Sequence, residues 1–109
     1  MINRLVAPIL AATMTLSATV SAEVSDYDRC KVVSSFAEAI MSARQSGVTY
    51  SKLYEITVDS KDGTAPLARL MIKGAFETSK YSTKEYQDQK SKEFGNLFFN
   101  LCINEKADK

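Results

Sequence analysis

The chain has no histidine, only two cysteines and two prolines, and four glycines in 109 residues. Without imidazole it lacks the commonest general base near neutral pH, and it has no histidine to activate a serine or cysteine nucleophile. Two isolated cysteines do not make a zinc set. The glycines, at positions 47, 63, 74 and 95, are too scattered for a phosphate-gripping loop, and no nucleophile elbow occurs. Charge of a single sign is missing too. Lys and Arg number 14 against 13 Asp and Glu, and the basic residues alternate with carboxylates throughout. Counterion release needs clustered Lys and Arg, so nucleic acid is excluded as a partner.

What is present starts with an address. Residues 1–4 carry one positive charge, Arg4, and the next eighteen carry none before the small-residue triplet Val20-Ser21-Ala22. This is the three-part pattern of a secretory signal peptide, with cleavage predicted between Ala22 and Glu23. Pro8 and the hydroxyl residues Thr13, Thr15, Ser17, Thr19 and Ser21 make the stretch too short and too polar for a membrane span. No cysteine sits at the cleavage point, so no lipid anchor is expected and the mature chain is predicted to have no stable membrane insertion. Losing Arg4 leaves the mature chain formally neutral. The predicted address is periplasmic or secreted.

Residues 23–109 suffice for one domain, in which a covalent staple matters because a small core supplies little stability. Export supplies oxidising conditions, and Cys30 and Cys102 have one intramolecular pairing open to them. Closing a loop of about 70 residues contributes roughly 4 kcal/mol in the chain-entropy model.

The periodicity predicts an all-α, four-helix bundle-like domain. The first helix opens at Ser25 or Asp26 and closes at Gly47, with Cys30, Val33, Ala37, Ile40 and Met41 as its stripe. Val32, Phe36, Ala39 and Ala43 are expected to widen the buried face. Residues 49–59 fit helix better than strand, since a lone strand has no partner, and Thr49 or Ser51 can cap them. After a polar loop over 59–64, Pro66 sits in the first turn of a third helix ending near Glu77. There Leu67, Leu70, Met71, Gly74 and Ala75 share a face, and Gly74 is expected to admit another backbone.

The fourth helix is announced by a capping box, Ser82-Thr83-Lys84-Glu85, with Tyr81 and Tyr86 as a hydrophobic staple. Its expected stripe is Tyr86, Phe94, Leu97, Phe98, Leu101 and Cys102, with Lys84, Asp88 and Lys92 facing solvent, as far as Asn104. Glu105 to Lys109 reads as a frayed charged tail. Up-down-up-down order places Cys30 beside Cys102, which supports the pairing.

Chemistry has few places to sit. Paired carboxylates could serve an enzyme, and Glu38, Glu55, Glu77 and Glu93 are the candidates, but all fall on solvated helix sides or ends. No catalytic, cofactor or metal residue is assigned. For partner binding the candidates are Arg44, Gln45, Tyr81, Phe99 and Ile103. Arg44 also suits a helix C-terminus on dipole grounds, and Tyr81 is accounted for by the staple. Phe99 and Ile103 lie away from the main stripe, so either a neighbouring helix or another molecule must cover them.

The ordered text Cys30, Ala43-Arg44-Gln45-x-Gly47, Ala75-Phe76-Glu77, Tyr81-Ser82-Thr83, Glu93-Phe94-x-Asn96 and Cys102 resembles a group of small exported proteins of proteobacteria and their prophages. The group's proline near the position of Ser79 is absent here. The resemblance implies export, helices and a cysteine pair, and implies no mechanism. The expected function is that of a non-enzymatic interaction factor, of inhibitor or immunity type, acting on another envelope protein or on a second copy. The alternatives are a periplasmic stress chaperone of the small acid-protective kind and a carboxylate-dependent enzyme.

Overall fold

A computed structural model describes residues 24–107. The signal peptide and its cleavage point lie outside the described residues. Among these residues the secondary structure is all α-helical: α1 is Asp26–Gln45, α2 Tyr50–Val58, α3 Ala65–Glu77 and α4 Lys84–Ala107. Residues 105–107, expected as the start of a frayed tail, belong to α4 instead.

Local chemistry sets most of these limits. The Ser25 hydroxyl accepts from Asp28 N at 3.1 Å, capping α1. At its other end Gly47 takes φ +100°, and Val48 N donates to Ala43 O while Gly47 N donates to Arg44 O. These two bonds close a Schellman turn that needs a left-handed residue at Gly47. Thr49 caps α2 through Lys52 N at 3.3 Å. The start of α4 departs from the predicted capping box. Thr83, not Ser82, accepts from Tyr86 N, and Gln87 N bonds to Thr83 O, so the helix begins one residue later and Glu85 is not in position to reach back. The Tyr81 and Tyr86 rings still meet, with centroids 6.0 Å apart.

α1 and α4 form the principal pair. Their seam is made of small side chains: the Ser34 hydroxyl donates to Gly95 O at 2.9 Å, and a Cβ on Gly95 would stand 3.0 Å from Ser34 O. The chain order is up, down, up, down. Contacts Tyr50–Phe76 and Thr57–Arg69 run α2 against α3, while Arg44–Thr78 ties the ends of α1 and α3 together. The core is Ala37, Ile40, Met41, Leu53, Met71, Ile72, Ala75, Phe94 and Phe98. Aromatic and guanidinium groups join α2 to α3 on the outside. Arg44 lies over Phe76, Phe76 meets Tyr50, Tyr50 stacks on Tyr54, and Arg69 lies over Tyr54 while its Nε donates to the Thr57 hydroxyl.

Cys30 and Cys102 are bonded, with Cα atoms 5.5 Å apart, joining the first helix to the last. Such a bond belongs to an oxidising, non-cytoplasmic compartment. No helix among the described residues is long and apolar enough to cross a membrane.

The expected apolar stripes were too wide. Val32, Phe36 and Ala39 are exposed on α1, Leu67 and Leu70 on α3, and Tyr86, Leu97 and Leu101 on α4. A bundle with one short helix gives each long helix too few neighbours to cover so broad a face. Gly74 admits no backbone, either: a Cβ there would meet the Phe94 ring at 3.3 Å.

Candidate functional site

Three of the residues singled out in sequence come together where α1 ends. Gln45 is only 2% exposed. Its Nε2 donates to Ser79 O at 2.9 Å, and its Oε1 accepts from Tyr81 N at 2.7 Å. One buried amide therefore fixes the loop between α3 and α4 from both sides. Arg44, half-buried, donates through Nη2 to Thr78 O at 3.3 Å, and its Nε is buried without a hydrogen-bond partner. Tyr81 is half-buried, packed on Tyr86, with Lys90 Nζ 5.6 Å from its ring centroid and its carbonyl accepting from Gln87 Nε2. The cluster joins helices and offers little free polar surface.

Phe99 and Ile103 are both half-buried. The Phe99 ring meets Tyr27 of α1 edge-on at 5.9 Å, so a neighbour in the same chain covers it. The uncovered apolar side chains of α4 lie on its other flank. Gly95 and Cys102 meet α1 directly, buried Ser91 and Phe98 lie on the same side of α4, and this turns Leu97 and Leu101 outward, leaving them 50% and 55% exposed.

Leu101 then forms one wall of a groove of about 400 Å³, whose lining includes Val33, Leu67, Leu70, Phe98 and Cys102. Among the described residues, Glu105 is the one charged side chain in the lining. Leu67 and Leu70 come to it because α3 buries Ala68, Met71, Ile72 and Ala75 instead. Sequence reasoning missed this site. The signal was the pair of small residues Ser91 and Gly95, four apart, which mark the true contact face of α4 and displace the leucines from it.

The candidate carboxylates are spread out. Glu55 pairs with Lys52 at 3.4 Å, and Glu77 is exposed. Glu93 accepts from Gln89 Nε2 and pairs with Lys90, and these contacts hold its carboxyl below the ordinary value. Glu38 shares a second, polar groove of about 410 Å³ with Ser35, Ser42, Asp88, Ser91 and Lys92, where Asp88 is already paired with Lys84 at 2.7 Å. Among the described residues no three Cys, Asp or Glu side chains gather as metal ligands.

No family model, curated protein or solved structure matches the chain.

Proposed function

We propose that this protein is an exported, non-enzymatic interaction factor of inhibitor or immunity type, acting in the periplasm on another envelope protein through the groove at the disulfide end. The observation that carries this reading is the exposure of Leu67, Leu70 and Leu101, at 37%, 55% and 55%, around one concave surface. Its volume falls in the range of binding pockets, about 300–1,000 Å³. A partner's anchor side chain contributes most where it fills a pocket that is fully desolvated on binding.

The exposed parts of these leucines amount to about one and a half side chains, worth roughly 2–4 kcal/mol when buried. Association alone costs about 4–15 kcal/mol, so the groove serves as the anchor pocket within a larger contact. The export signal, the disulfide and the resemblance to small exported proteins support the address.

The test is capture from an envelope extract with the oxidised protein and three variants, followed by binding of the purified partner. The expected partner is retained by wild type and by Phe99→Asp, and is lost with Leu70→Asp and Leu101→Asp. A partner that both groove variants retain, or no partner at all, removes the basis of this reading. Suppression of aggregation of many unrelated clients on acidification, independent of the groove variants, would favour the chaperone instead.

A further inference from the structure

We infer that Cys102 is the sulfur at which thiol–disulfide exchange enters this protein, and that the apolar groove is the route to it. The exchange partner is a dithiol–disulfide protein of the same compartment. The inference rests on the unequal burial of the two cysteines and is independent of the function proposed above.

Cys30 is 0% exposed, enclosed on α1 among packed helices. Cys102 is half-buried and contributes to the lining of the groove beside Leu67, Leu70 and Leu101. An attacking thiolate must approach the sulfur it will bond along the S–S axis. Cys102 is part-exposed and lines the groove, whereas Cys30 has no exposed surface, so a partner's thiolate reaches Cys102 from the groove and reaches Cys30 only through the protein interior.

One effect opposes this. Attack at Cys102 expels the Cys30 thiolate into a site closed to solvent, which disfavours its charge, and a poorer leaving group slows exchange. The rate depends only fractionally on leaving-group pKa, whereas attack at Cys30 must wait for the helices to open. Access therefore decides the site, and the leaving group makes the bond slow to reduce.

In reduction, the partner's thiolate bonds to Cys102 Sγ, the Cys30–Cys102 bond breaks, and its electron pair leaves on the Cys30 sulfur, which takes a proton. The partner's second thiolate then attacks its own sulfur in the mixed disulfide and frees the Cys102 thiolate, leaving the partner oxidised. Formation is the reverse. The Cys102 thiolate attacks the partner's disulfide, the Cys30 thiolate attacks Cys102 Sγ, and the partner departs as a dithiol carrying two electrons.

The experiment uses glutathione as the probe. Cys30→Ser and Cys102→Ser are treated with oxidised glutathione in native buffer and followed by intact mass, with helix content checked by far-UV circular dichroism. Addition to Cys102 is expected to be at least about tenfold faster than addition to Cys30, with the difference vanishing in concentrated guanidinium. Because either variant can lose its fold with the cross-link, the wild-type disulfide is also exposed to reduced glutathione, acid-quenched at short times and mapped by peptide mass. The adduct is expected on the peptide carrying Cys102. An adduct on Cys30, equal rates in folded variants, or a bond that glutathione opens only when urea unfolds the chain would each overturn the inference.

Discussion

Replacing Gln45 tests the central claim about how the loop before α4 is held. Gln45→Ala removes two hydrogen bonds, of 2.9 and 2.7 Å, strands the Tyr81 amide, and leaves a hole where a side chain only 2% exposed had been. Each neutral bond is worth about 0.5–1.5 kcal/mol net, and an abandoned buried partner costs about 1–3. With the lost packing, the expected destabilisation is about 2–4 kcal/mol, or roughly 10–25 °C in Tm for a domain of this size. Gln45→Glu is the sharper variant. One oxygen of the introduced carboxyl still accepts from Tyr81 N, but the other faces Ser79 O where an N–H had donated. Burial and that carbonyl both raise the folded pKa above the unfolded value of about 4.3. Below the unfolded value the neutral acid donates to Ser79 O and stability stays near wild type; the loss grows as pH rises through the folded pKa and is complete above it. Urea melts at pH 4 and pH 7, compared with wild type at unchanged m, measure this directly. A loss independent of pH, or an alanine variant within about 0.5 kcal/mol of wild type, would refute the clamp.

Four further outcomes follow from contacts elsewhere in the fold. Gly95→Ala gains about 1 kcal/mol in helix propensity but puts a Cβ 3.0 Å from the main-chain Ser34 O, an overpacking cost of about 1–3 kcal/mol, so a net loss of up to about 2 kcal/mol is expected in urea melts. Gly74→Ala, which meets only the Phe94 ring, should stay within about 1 kcal/mol of wild type, and a stabilised Gly95→Ala would show that the α1–α4 seam is looser than described. The Asp62 carboxylate accepts from the Thr64 hydroxyl, the Ser60 hydroxyl and Thr64 N, which lowers its pKa from 3.8 to about 2. Its contribution to stability is therefore present above the unfolded value and is lost as pH falls from 3.8 toward 2; carboxyl NMR should place the midpoint near 2 and Thr64→Val should raise it, whereas a wild-type midpoint at 3.8 would mean an open loop. Reducing the disulfide should cost roughly 4 kcal/mol, and a Tm within a few degrees of the oxidised protein would contradict its role as a staple.

The helices and their order were legible because their signals are local. Ser25, Gly47, Thr49 and Pro66 act within one turn, and the cysteine pair follows from there being only two. Which face each helix buries was less legible. Apolar periodicity marks every leucine on a flank as a core candidate, yet Leu67 and Leu70 are uncovered because α3 buries Ala68, Met71, Ile72 and Ala75, and Leu97 and Leu101 because close contact between α1 and α4 was reserved for Ser34, Ser91 and Gly95. A hydrophobic scale ranks those three residues as poor core, whereas geometry makes them the seam. Gln45 was singled out as a binding candidate, but its role as a clamp was hidden for a different reason: its partners are main-chain atoms 34 and 36 residues away, which no local pattern exposes.

The two ends of the α1–α4 pair are held by different means, and the difference accounts for where the groove lies. At the Gln45 end the loop, Arg44, Phe76 and the Phe94 ring against Gly74 fill the space between helices. At the other end α3 offers Ala68 as its buried residue, too small to fill the gap, and Leu67 and Leu70 flank it uncovered. Leaving those two and Leu101 part-exposed forgoes roughly 2–4 kcal/mol of burial, and the cross-link contributes roughly 4 kcal/mol by constraining the unfolded chain. A covalent bond thus lets this end keep an open apolar surface that noncovalent packing in so small a domain would have to close. The bond that stabilises the domain is then also part of the groove proposed above as a docking surface, so breaking it alters the groove and the fold together.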